Sequence, residues 1–411
     1  MPWSAWPNAT FYGGSAPDPV SNPTTSVSVK SPARSLLSLC ILALVTGCAP
    51  ESASSDSRNS PPGKTVGSLN GPVASGETYE QTLAQVKTRM PAARYTTNEF
   101  IPAADTPPPE YTQRIKLKIG MPWLLNDEEA PWYIAVERKF FDLVGLDVEL
   151  LSGGPAHNYL AVLAGGGVDL GVINMTTQVT KFIASPTGAD VVIVGVTLRE
   201  TPEAILAIDH ETPRDQRSTR VLRATDFAGK TIAVETTSQY VMESVLALNG
   251  QSPAQVKFLR VSTLDTLVMG RVDAMASWIV NQPRLLEDAG YKNWMAYPLA
   301  EHGWEGAADV TVVRRDFLEK NPAVVRRYLW ALRQAVEFML DEPVAAAAIT
   351  SRYATGQPLT PTQVMRRFEL QRHLVIGDDR SGLLHVDPDA IDRTAAHMVR
   401  AGVISLPQTP R

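Results

Sequence analysis

Side chains suited to small-molecule binding follow the ends of predicted strands in this chain of 411 residues. The candidates are two tryptophans, two glutamates and eight small or amide residues: Trp123, Asn126, Gly153, Gly154, Asn174, Thr176, Glu200, Glu235, Thr236, Thr237, Ser238 and Trp278. Indole rings stack on flat ligand rings, and carboxylates accept hydrogen bonds from ring amines. In an open parallel sheet, the loops at the carboxyl ends of the strands meet at one edge and lead into helix N-termini. We therefore predict a ligand site at that edge.

Most of these residues also have a purely structural interpretation. Lone tryptophans commonly lie in a core, and Asn126 can cap the helix that follows it. Residues 236–238 also suit an N-cap, and Gly153-Gly154-Pro155 suits a tight turn whose backbone N–H groups would face a ligand only secondarily. The site prediction therefore depends on the whole set of loops, with Trp278 as a second aromatic wall in addition to Trp123.

Charged side chains near these loops favour a neutral or cationic ligand. The loops contain no lysine, and their nearest arginine is Arg199. Their acidic residues are Asp127, Glu128, Glu129, Glu200 and Glu235. A desolvated anion would require positive charge or several N–H donors. In the alternative interpretation, the acids are solvated at the rim and an anion is bound by backbone N–H groups and hydroxyls.

Catalytic and metal-binding motifs are not found in the sequence. The six histidines lack the H-E-x-x-H spacing, and there is no G-x-S-x-G motif or P-loop. The acidic stretch GDDRSGLLHVDPD does not follow the calcium-loop pattern. The formal net charge of −5 and the scattered arginine pairs argue against nucleic-acid binding. We therefore expect a protein that is not an enzyme, with no catalytic residues, metal, cofactor or nucleic-acid partner.

A short apolar run near the N terminus has the features of an export signal. A basic front precedes an apolar stretch at residues 36–45, and Cys48 follows small residues. The run is too short to cross a bilayer, which takes about 20 apolar residues. Val45-Thr46-Gly47-Cys48 resembles the lipobox of bacterial lipoproteins, which implies that Cys48 is acylated and that residues 1–47, including Cys40, are removed. The alternative is a buried cysteine on an apolar helix.

The chain after this cysteine divides into a polar tether and a folded α/β unit. Residues 48–113 are rich in Ser, Pro, Gly, Asn and Thr, as in a flexible tether, with one weakly helical segment, TYEQTLAQVKTRM. From Arg114, strand and helix patterns alternate in two series separated by HETPRDQRSTRVLRATDFAGK, which indicates two lobes with mainly parallel sheets. The chain from Asn321 is mostly helical, and its helical spacing predicts one buried face made of Val325, Leu329, Leu332, Val336 and Met339.

Four segments carry a resemblance to a known family. They are WLLNDEEAPWYIAVERKFFDLVGLDVEL at residues 123–150, AGGGVDLGV at 164–172, DFAGKTIAVE at 226–235 and GRVDAMASW at 270–278. In their order and spacing they resemble the solute-binding proteins of ABC importers, in the branch that includes sulfonate, nitrate, riboflavin and thiamine-pyrimidine binders. The resemblance extends over residues 114–404.

This resemblance implies an α/β, two-lobed periplasmic-binding-protein fold of type II. Each lobe would be a mainly parallel sheet flanked by helices, with a helical C-terminal return, and the lobes would close on a ligand about two hinge crossovers. Residues 114–208 and 303–405 would form lobe one, and residues 209–302 would form lobe two. The implied partners are a small solute, the permease and ATPase subunits of an importer and, through the lipid, a membrane. We expect an extracytoplasmic, lipid-anchored monomer.

The resemblance also bears on the ligand. It places a stacking aromatic at Trp123, and Asn126 corresponds to the asparagine of the W-x-P-N pattern of pyrimidine binders, although Leu125 replaces the proline. We expect a thiamine-type aminopyrimidine, with a flavin as the next choice because Gly153-Gly154-Pro155 resembles the turn of riboflavin binders. The alternatives are a binder of sulfonate, taurine or nitrate, and an enzyme similar to the fungal thiamine-pyrimidine synthase, whose cysteine-rich motif this chain lacks.

Overall fold

The computed structural model describes most of the chain after the predicted signal region. The described residues are 77–90, 98–103, 105–154, 157–185, 188–235, 238–261, 263–356, 358–377 and 379–406. The predicted acylation site, Cys48, and most of the predicted tether therefore lie outside the described residues, as do Thr236 and Thr237.

Strands and helices alternate through the described part of the chain. The strands are β1 (Ile115–Gly120), β2 (Leu146–Leu151), β3 (Leu170–Met175), β4 (Val191–Leu198), β5 (Glu203–Ile208), β6 (Thr231–Val234), β7 (Lys257–Arg260), β8 (Ala274–Trp278), β9 (Trp294–Pro298) and β10 (Ala308–Arg314). The α-helices are α1 (Tyr79–Arg89), α2 (Ala130–Glu137), α3 (Phe140–Leu143), α4 (Tyr159–Ala164), α5 (Thr176–Ala184), α6 (Gln239–Leu248), α7 (Leu264–Val268), α8 (Gln282–Asp288), α9 (Arg315–Lys320), α10 (Pro322–Asp341), α11 (Pro343–Tyr353), α12 (Pro361–Ile376) and α13 (Pro388–Arg400). Short 3-10 helices lie at Asn98–Phe100, Asp127–Glu129, Ala224–Phe227, Pro253–Gln255, Ala300–His302 and Arg380–Gly382.

The strands form two sheets of five strands each, in the orders β2-β1-β3-β10-β4 and β7-β6-β8-β5-β9. In the first sheet β1 is parallel to β2 and β3, whereas β10 is antiparallel to β3 and β4. In the second sheet β6 is parallel to β7 and β8, whereas β5 is antiparallel to β8 and β9. One strand in each sheet thus runs against the other four. The predicted pair of sheets flanked by helices is confirmed, and each sheet is mixed, with two parallel and two antiparallel pairs of neighbouring strands.

Each sheet has its own core. We call the first sheet with α2–α5 and α9–α12 the first lobe, because their apolar side chains form shared buried clusters. The second sheet with α6–α8 is the second lobe. All eight residues of β4 are buried, as expected for a Val-rich strand covered by helices on both faces. The predicted apolar face of α10 is also buried, with exposures between 0% and 3% for Val325, Leu329, Leu332, Val336 and Met339.

The chain passes between the sheets twice, at residues 199–202 and again at 299–307. The predicted boundary after residue 208 placed the strand Glu203–Ile208 in lobe one, but this strand pairs with β8 and β9 of the second sheet. Its six residues are all buried, so local polarity gives no break before it. The polar stretch that suggested the boundary follows β5 in the sequence.

The weakly helical segment of the predicted tether forms α1 and packs against α13. Thr78 and Gln81 form a capping box at its start, and the ammonium of Lys87 lies 2.7 Å from the Asp389 carboxylate. Val86 is fully buried in the cluster that also contains the second-lobe core. This part of the predicted flexible tether is therefore a docked helix. None of the helices in the described part of the chain combines the length and apolarity needed to cross a membrane.

Candidate functional site

A cavity of about 410 Å³ lies between the two lobes, and both contribute to its lining. The first lobe contributes Pro122, Trp123, Gly154, His157, Asn174, Met175, Thr177 and Gln178. The second lobe contributes Glu203, Val234, Glu235, Ser238, Tyr240, Val241, Arg260, Val261 and Trp278. Its volume falls within the roughly 300–1,000 Å³ of many small-molecule sites. We call this cavity the cleft.

Three neighbouring strands build the first-lobe wall. Trp123 follows β1, Gly154 follows β2, and Asn174 lies at the end of β3, so their shared strand direction brings all three to one edge. The Gly153 amide donates to the Trp123 carbonyl at 2.9 Å, which ties the first two loops together. A Cβ atom at Gly153 would lie 2.3 Å from the Met121 carbonyl oxygen, so this position requires glycine. Gly153 therefore does not line the cleft but holds the loops of this wall close together.

The second-lobe wall has the same construction, with one added residue from an antiparallel strand. Glu235 and Ser238 follow β6, and Trp278 ends β8. Because β5 runs against β8, its first residue, Glu203, comes to the same edge and pairs directly with Trp278. Side chains directly opposite each other on antiparallel strands point to the same face, with Cβ atoms about 5 Å apart. An indole ring and a carboxyl group thus lie side by side on this wall.

Glu203 is a buried carboxyl group with few polar neighbours. Its residue exposure is 6%, and the Thr201 hydroxyl donates to its carboxyl oxygen at 3.3 Å. No arginine or lysine of the described residues forms an ion pair with it. Burial raises the pKa of Glu203 to about 7, because the charged form loses hydration, although hydrogen bonds from the side chains of Thr201 and Trp304 oppose the shift. Near neutral pH the group therefore exchanges readily between its acid and its anion.

Tyr240 links the two walls. Its hydroxyl lies 3.4 Å from the Thr177 hydroxyl of the first lobe, and the Lys181 ammonium lies 4.2 Å from the centre of its ring. Burial raises the pKa of Tyr240, so its phenol remains protonated and can donate. The first-lobe helix α5 and the second-lobe helix α6 therefore meet beside the cleft.

Six of the twelve predicted residues line the cleft: Trp123, Gly154, Asn174, Glu235, Ser238 and Trp278. Ser238 is partly engaged with its own loop, because its hydroxyl accepts from the Glu235 amide at 3.1 Å. Gly153 has the supporting role described above. The other predicted residues of the described chain are Asn126, Thr176 and Glu200, and none of them belongs to the lining.

Asn126, Thr176 and Glu200 have other environments. The Asn126 side chain accepts from the Glu128 amide at 2.6 Å, and the Glu129 carboxylate accepts from the Asn126 amide at 3.0 Å, which makes a capping box. The Thr176 hydroxyl is buried and accepts from the Ala307 amide at 3.2 Å. Glu200 is exposed to solvent. The Asn-x-x-Glu spacing at residues 126–129 is itself a capping signal, so the capping role of Asn126 could be predicted from the sequence.

The acidic run at residues 127–129 lies in the protein interior, and the expectation that it faces the ligand is wrong. All three residues are buried, and the Asp127 carboxylate lies 2.6 Å from the Arg284 guanidinium and 3.7 Å from that of Arg367. Burial, reinforced by the neighbouring Glu128 carboxylate, raises the pKa of Glu129 to about 8. Arg284 is 157 residues away along the chain, so the countercharge cannot be located from local pattern.

Arg199, the arginine nearest to the predicted loops in the sequence, does not line the cleft. Its guanidinium donates to the Ile376 carbonyl at 2.8 Å. Arg260, the last residue of β7, lines the cleft and is exposed. Because β7 is parallel to β6, its end reaches the same edge as Glu235. Arg260 was not among the residues predicted from the sequence, and neither were His157, Thr177, Gln178, Glu203 and Tyr240, which also line the cleft.

Comparison with known families supports the described architecture. A family model described as NMT1/THI5 like matches residues 126–346, which is more than half of the chain. The 4-amino-5-hydroxymethyl-2-methylpyrimidine phosphate synthase of Aspergillus parasiticus is 23% identical over 261 residues, covering 60% of this chain and 72% of that protein. The riboflavin-binding protein RibY of Chloroflexus aurantiacus is 22% identical over 322 residues, covering 76% of this chain and 88% of that protein.

A solved structure from Candida albicans shows the same fold. It is described as exhibiting the generic periplasmic binding protein structural fold, and it superposes with a TM-score of 0.52 at 15% sequence identity. The match covers 72% of this chain and 92% of that one. The two-lobed arrangement is therefore a periplasmic-binding-protein-like fold.

Proposed function

The chain belongs to the NMT1/THI5-like family, and from this we propose that it is the solute-binding component of an ABC importer. It captures a small heteroaromatic ligand, with a thiamine-type aminopyrimidine as the first choice and a flavin as the second. It works outside the cytoplasm, held to a membrane by a lipid on Cys48, and delivers its ligand to the permease and ATPase subunits. It neither consumes nor alters the ligand.

The presence of a tryptophan on each wall of the cleft is the main support for this proposal. Trp123 comes from the first lobe and Trp278 from the second, and both line the same cavity. Closure of the lobes would bring the two indole rings toward opposite faces of a flat ligand, an arrangement that favours stacking. The names of the two relatives, a pyrimidine phosphate synthase and a riboflavin-binding protein, are consistent with a heteroaromatic ligand.

A thermal-shift screen tests the proposal directly. Purified protein is heated with thiamine precursors, flavins, taurine, alkanesulfonates and nitrate in separate wells. A ligand that binds only the folded state adds about 2.7 kcal/mol of stability at a hundredfold excess over its Kd. We expect the aminopyrimidines to give the largest shifts. A chain that responds to none of these compounds would contradict the proposal.

One observation favours an anionic ligand as a second candidate. Arg260 lines the cleft, and no carboxylate of the described residues pairs with it. A guanidinium can bind a sulfonate or nitrate through paired N–H donors. If taurine or nitrate raises the melting temperature and the heteroaromatic compounds do not, the ligand is an anion.

An enzyme is the alternative from a different class. The synthase from Aspergillus parasiticus covers a substantial part of the chain at 23% identity. The same incubations therefore include analysis of each ligand by mass spectrometry. A ligand recovered unchanged is the expected result, and a new pyrimidine product would contradict the binding proposal.

A further inference from the structure

Glu203 is the most deeply buried charged residue of the cleft lining. Its exposure is 6%, whereas Glu235 and Arg260 on the same wall are exposed. The Thr201 hydroxyl donates to the Glu203 carboxyl group at 3.3 Å, and the indole N–H of the buried Trp304 lies close enough to the same group to lower its pKa by hydrogen bonding. A buried carboxylate without a cation is costly, and it either holds a proton or awaits a partner that supplies N–H donors. Both donors are neutral, so the Glu203 carboxylate has no counterion among the described residues, and Glu203 lines the cleft.

The neighbour of Glu203 determines how a ligand would approach it. Glu203 and Trp278 are directly paired across β5 and β8, so their side chains project from the same face of the sheet. A flat ring stacked on the Trp278 indole would present its edge, not its face, to the adjacent carboxyl group. This geometry distinguishes Glu203 from Glu235, which lies on the loop after β6 at the exposed rim.

We infer that Glu203 recognises an amino-azine edge, in which a ring nitrogen lies next to a carbon bearing an NH₂ group. The inference rests on the proposed function and names the part of the ligand that the cleft selects. One carboxyl oxygen accepts from the amino group, and the other shares a proton with the ring nitrogen. The pair is neutral overall, so it needs no cation from the protein and tolerates burial. Aminopyrimidines carry this edge, whereas sulfonates and nitrate do not.

The other ionisable groups around Glu203 are consistent with a neutral pair. Tyr240 contributes a protonated phenol from α6, and Lys181 of α5 lies over the Tyr240 ring. His157, Glu235 and Arg260 line other parts of the cleft. No ion pair among the described residues joins any of these groups to Glu203. Among the described residues its carboxyl group therefore has neutral donors, from Thr201 and Trp304, and no cation.

The test compares two ligands and three variants by isothermal titration calorimetry at pH 7. The probe is 4-amino-5-hydroxymethyl-2-methylpyrimidine, and its 4-dimethylamino counterpart lacks the N–H donors but keeps the ring. Glu203→Met keeps the side-chain length but removes both polar atoms, whereas Glu203→Gln keeps one donor and one acceptor. Glu149→Gln makes the same charge change at an exposed position of β2 and serves as the control.

We expect Glu203→Met to weaken aminopyrimidine binding about 100-fold, since two buried hydrogen bonds are lost. Glu203→Gln should recover most of that loss, and Glu149→Gln should bind like the wild type. The dimethylamino compound should bind weakly to the wild type and to Glu203→Met alike. Circular dichroism and the melting temperature of each variant establish that it is folded.

Two results would overturn the inference. One is a folded Glu203→Met variant that binds the aminopyrimidine within about threefold of the wild type. The other is a wild-type protein that fails to bind this aminopyrimidine, cytosine and adenine, all of which carry the edge. If taurine or nitrate still shifts the melting temperature of that protein, the solute-binding proposal stands without the inference. If no compound shifts it, both fail.

Discussion

The guanidinium of Arg284 lies 2.6 Å from the carboxylate of Asp127, and this ion pair joins the second lobe to the first with both side chains 1% exposed. Arg284 also donates to the Gln363 carbonyl at 2.8 Å, so helix α8 is held against α12 as well as against the Asp127 turn. Trp123 and Trp278 precede these two partners by a few residues each. The ion pair therefore connects the two lobes close to the cleft.

Substituting Arg284 with methionine should destabilise the protein strongly. The change leaves the Asp127 carboxylate buried without its closest cation, and such losses cost about 3–5 kcal/mol of unfolding free energy. Arg366→Met is the matched control, because Arg366 also connects α12 to α8 through Glu287 at 3.4 Å but is 43% exposed. We expect that change to cost less than about 1 kcal/mol. Urea denaturation measures the unfolding free energy of both variants. Equal losses would mean that the buried ion pair stabilises the protein no more than the exposed one.

The acidic turn beneath Trp123 should make stability depend on pH. The pKa of Glu129 is about 8 in the folded protein, well above its ordinary value near 4.5. The folded state therefore holds a proton that the unfolded state releases above about pH 4.5. Its stabilising contribution is fully present at low pH and is lost as pH rises through 8. We expect stability to fall between about pH 5 and pH 8.

Glu129→Gln tests this dependence, because the amide oxygen can still accept from the Asn126 amide and the Tyr133 hydroxyl. The variant should lose part of the slope of unfolding free energy against pH, and Glu203, whose pKa is about 7, accounts for a further part. Urea denaturation at four pH values between 5 and 8 measures the slope of unfolding free energy against pH. Glu149→Gln should keep the wild-type slope. Parallel curves for Glu129→Gln and the wild type would contradict the assignment.

Local sequence pattern was sufficient to predict strands of the sheets, but it did not show which residues pair with the buried acids. The apolar run of β4 and the alternation in β1 are signals that each strand carries within itself, and the structure follows them. By contrast, Asp127 looked like a ligand-facing acid because nothing near it in sequence is positive, while its partners lie on α8 and α12. Ion pairs of high sequence separation have no periodicity, so only the fold reveals them.

The residues that line the cleft were likewise predicted only in part. Trp123, Asn174 and Trp278 follow strand ends, and the rule that loops meet at the carboxyl edge of a parallel sheet brings them together. The rule did not identify Glu203, because Glu203 begins a strand instead of ending one. Only the antiparallel direction of β5, which is set by the chain crossing between lobes, puts it at that edge.

Trp123→Ala should abolish the binding of a heteroaromatic ligand. The substitution removes one aromatic wall of the cleft, and loss of stacking together with buried area amounts to several kcal/mol. Leu124→Ala is the control, because Leu124 is adjacent, 42% exposed and not part of the lining. Glu235→Gln should weaken binding to a smaller extent. Calorimetry measures all three, and tight taurine or nitrate binding that neither Trp123→Ala nor Glu235→Gln alters would show that the site is anionic.

Acylation of Cys48 predicts a specific labelling pattern in cells. The sequence contains two cysteines, and the lipobox resemblance assigns the lipid to Cys48 and removes Cys40 with the signal. Cells fed a clickable fatty acid should label the wild type and Cys40→Ala, but not Cys48→Ala, which should also leave the membrane fraction. A wild-type chain that is unlabelled yet membrane-bound would rule out this anchor.

Affinity for the aminopyrimidine should decrease as pH rises above 7. The proposed complex holds one proton shared between the Glu203 carboxyl group and the ring nitrogen of the ligand. Free Glu203, whose pKa is about 7, loses that proton at higher pH, so binding must then take one up. The affinity should fall by nearly tenfold per pH unit between about pH 8 and pH 9.

Glu203→Gln carries a permanent N–H donor in place of the titrating proton, so its affinity should be flat over the same range. The pKa of Tyr240 is raised, and its phenol stays protonated throughout this interval. Calorimetric titrations at pH 7, 8 and 9 with the wild type and the variant decide the matter. If the two affinities decline in parallel, the proton belongs to another group, and Glu203 is not the residue that reads the amino-azine edge.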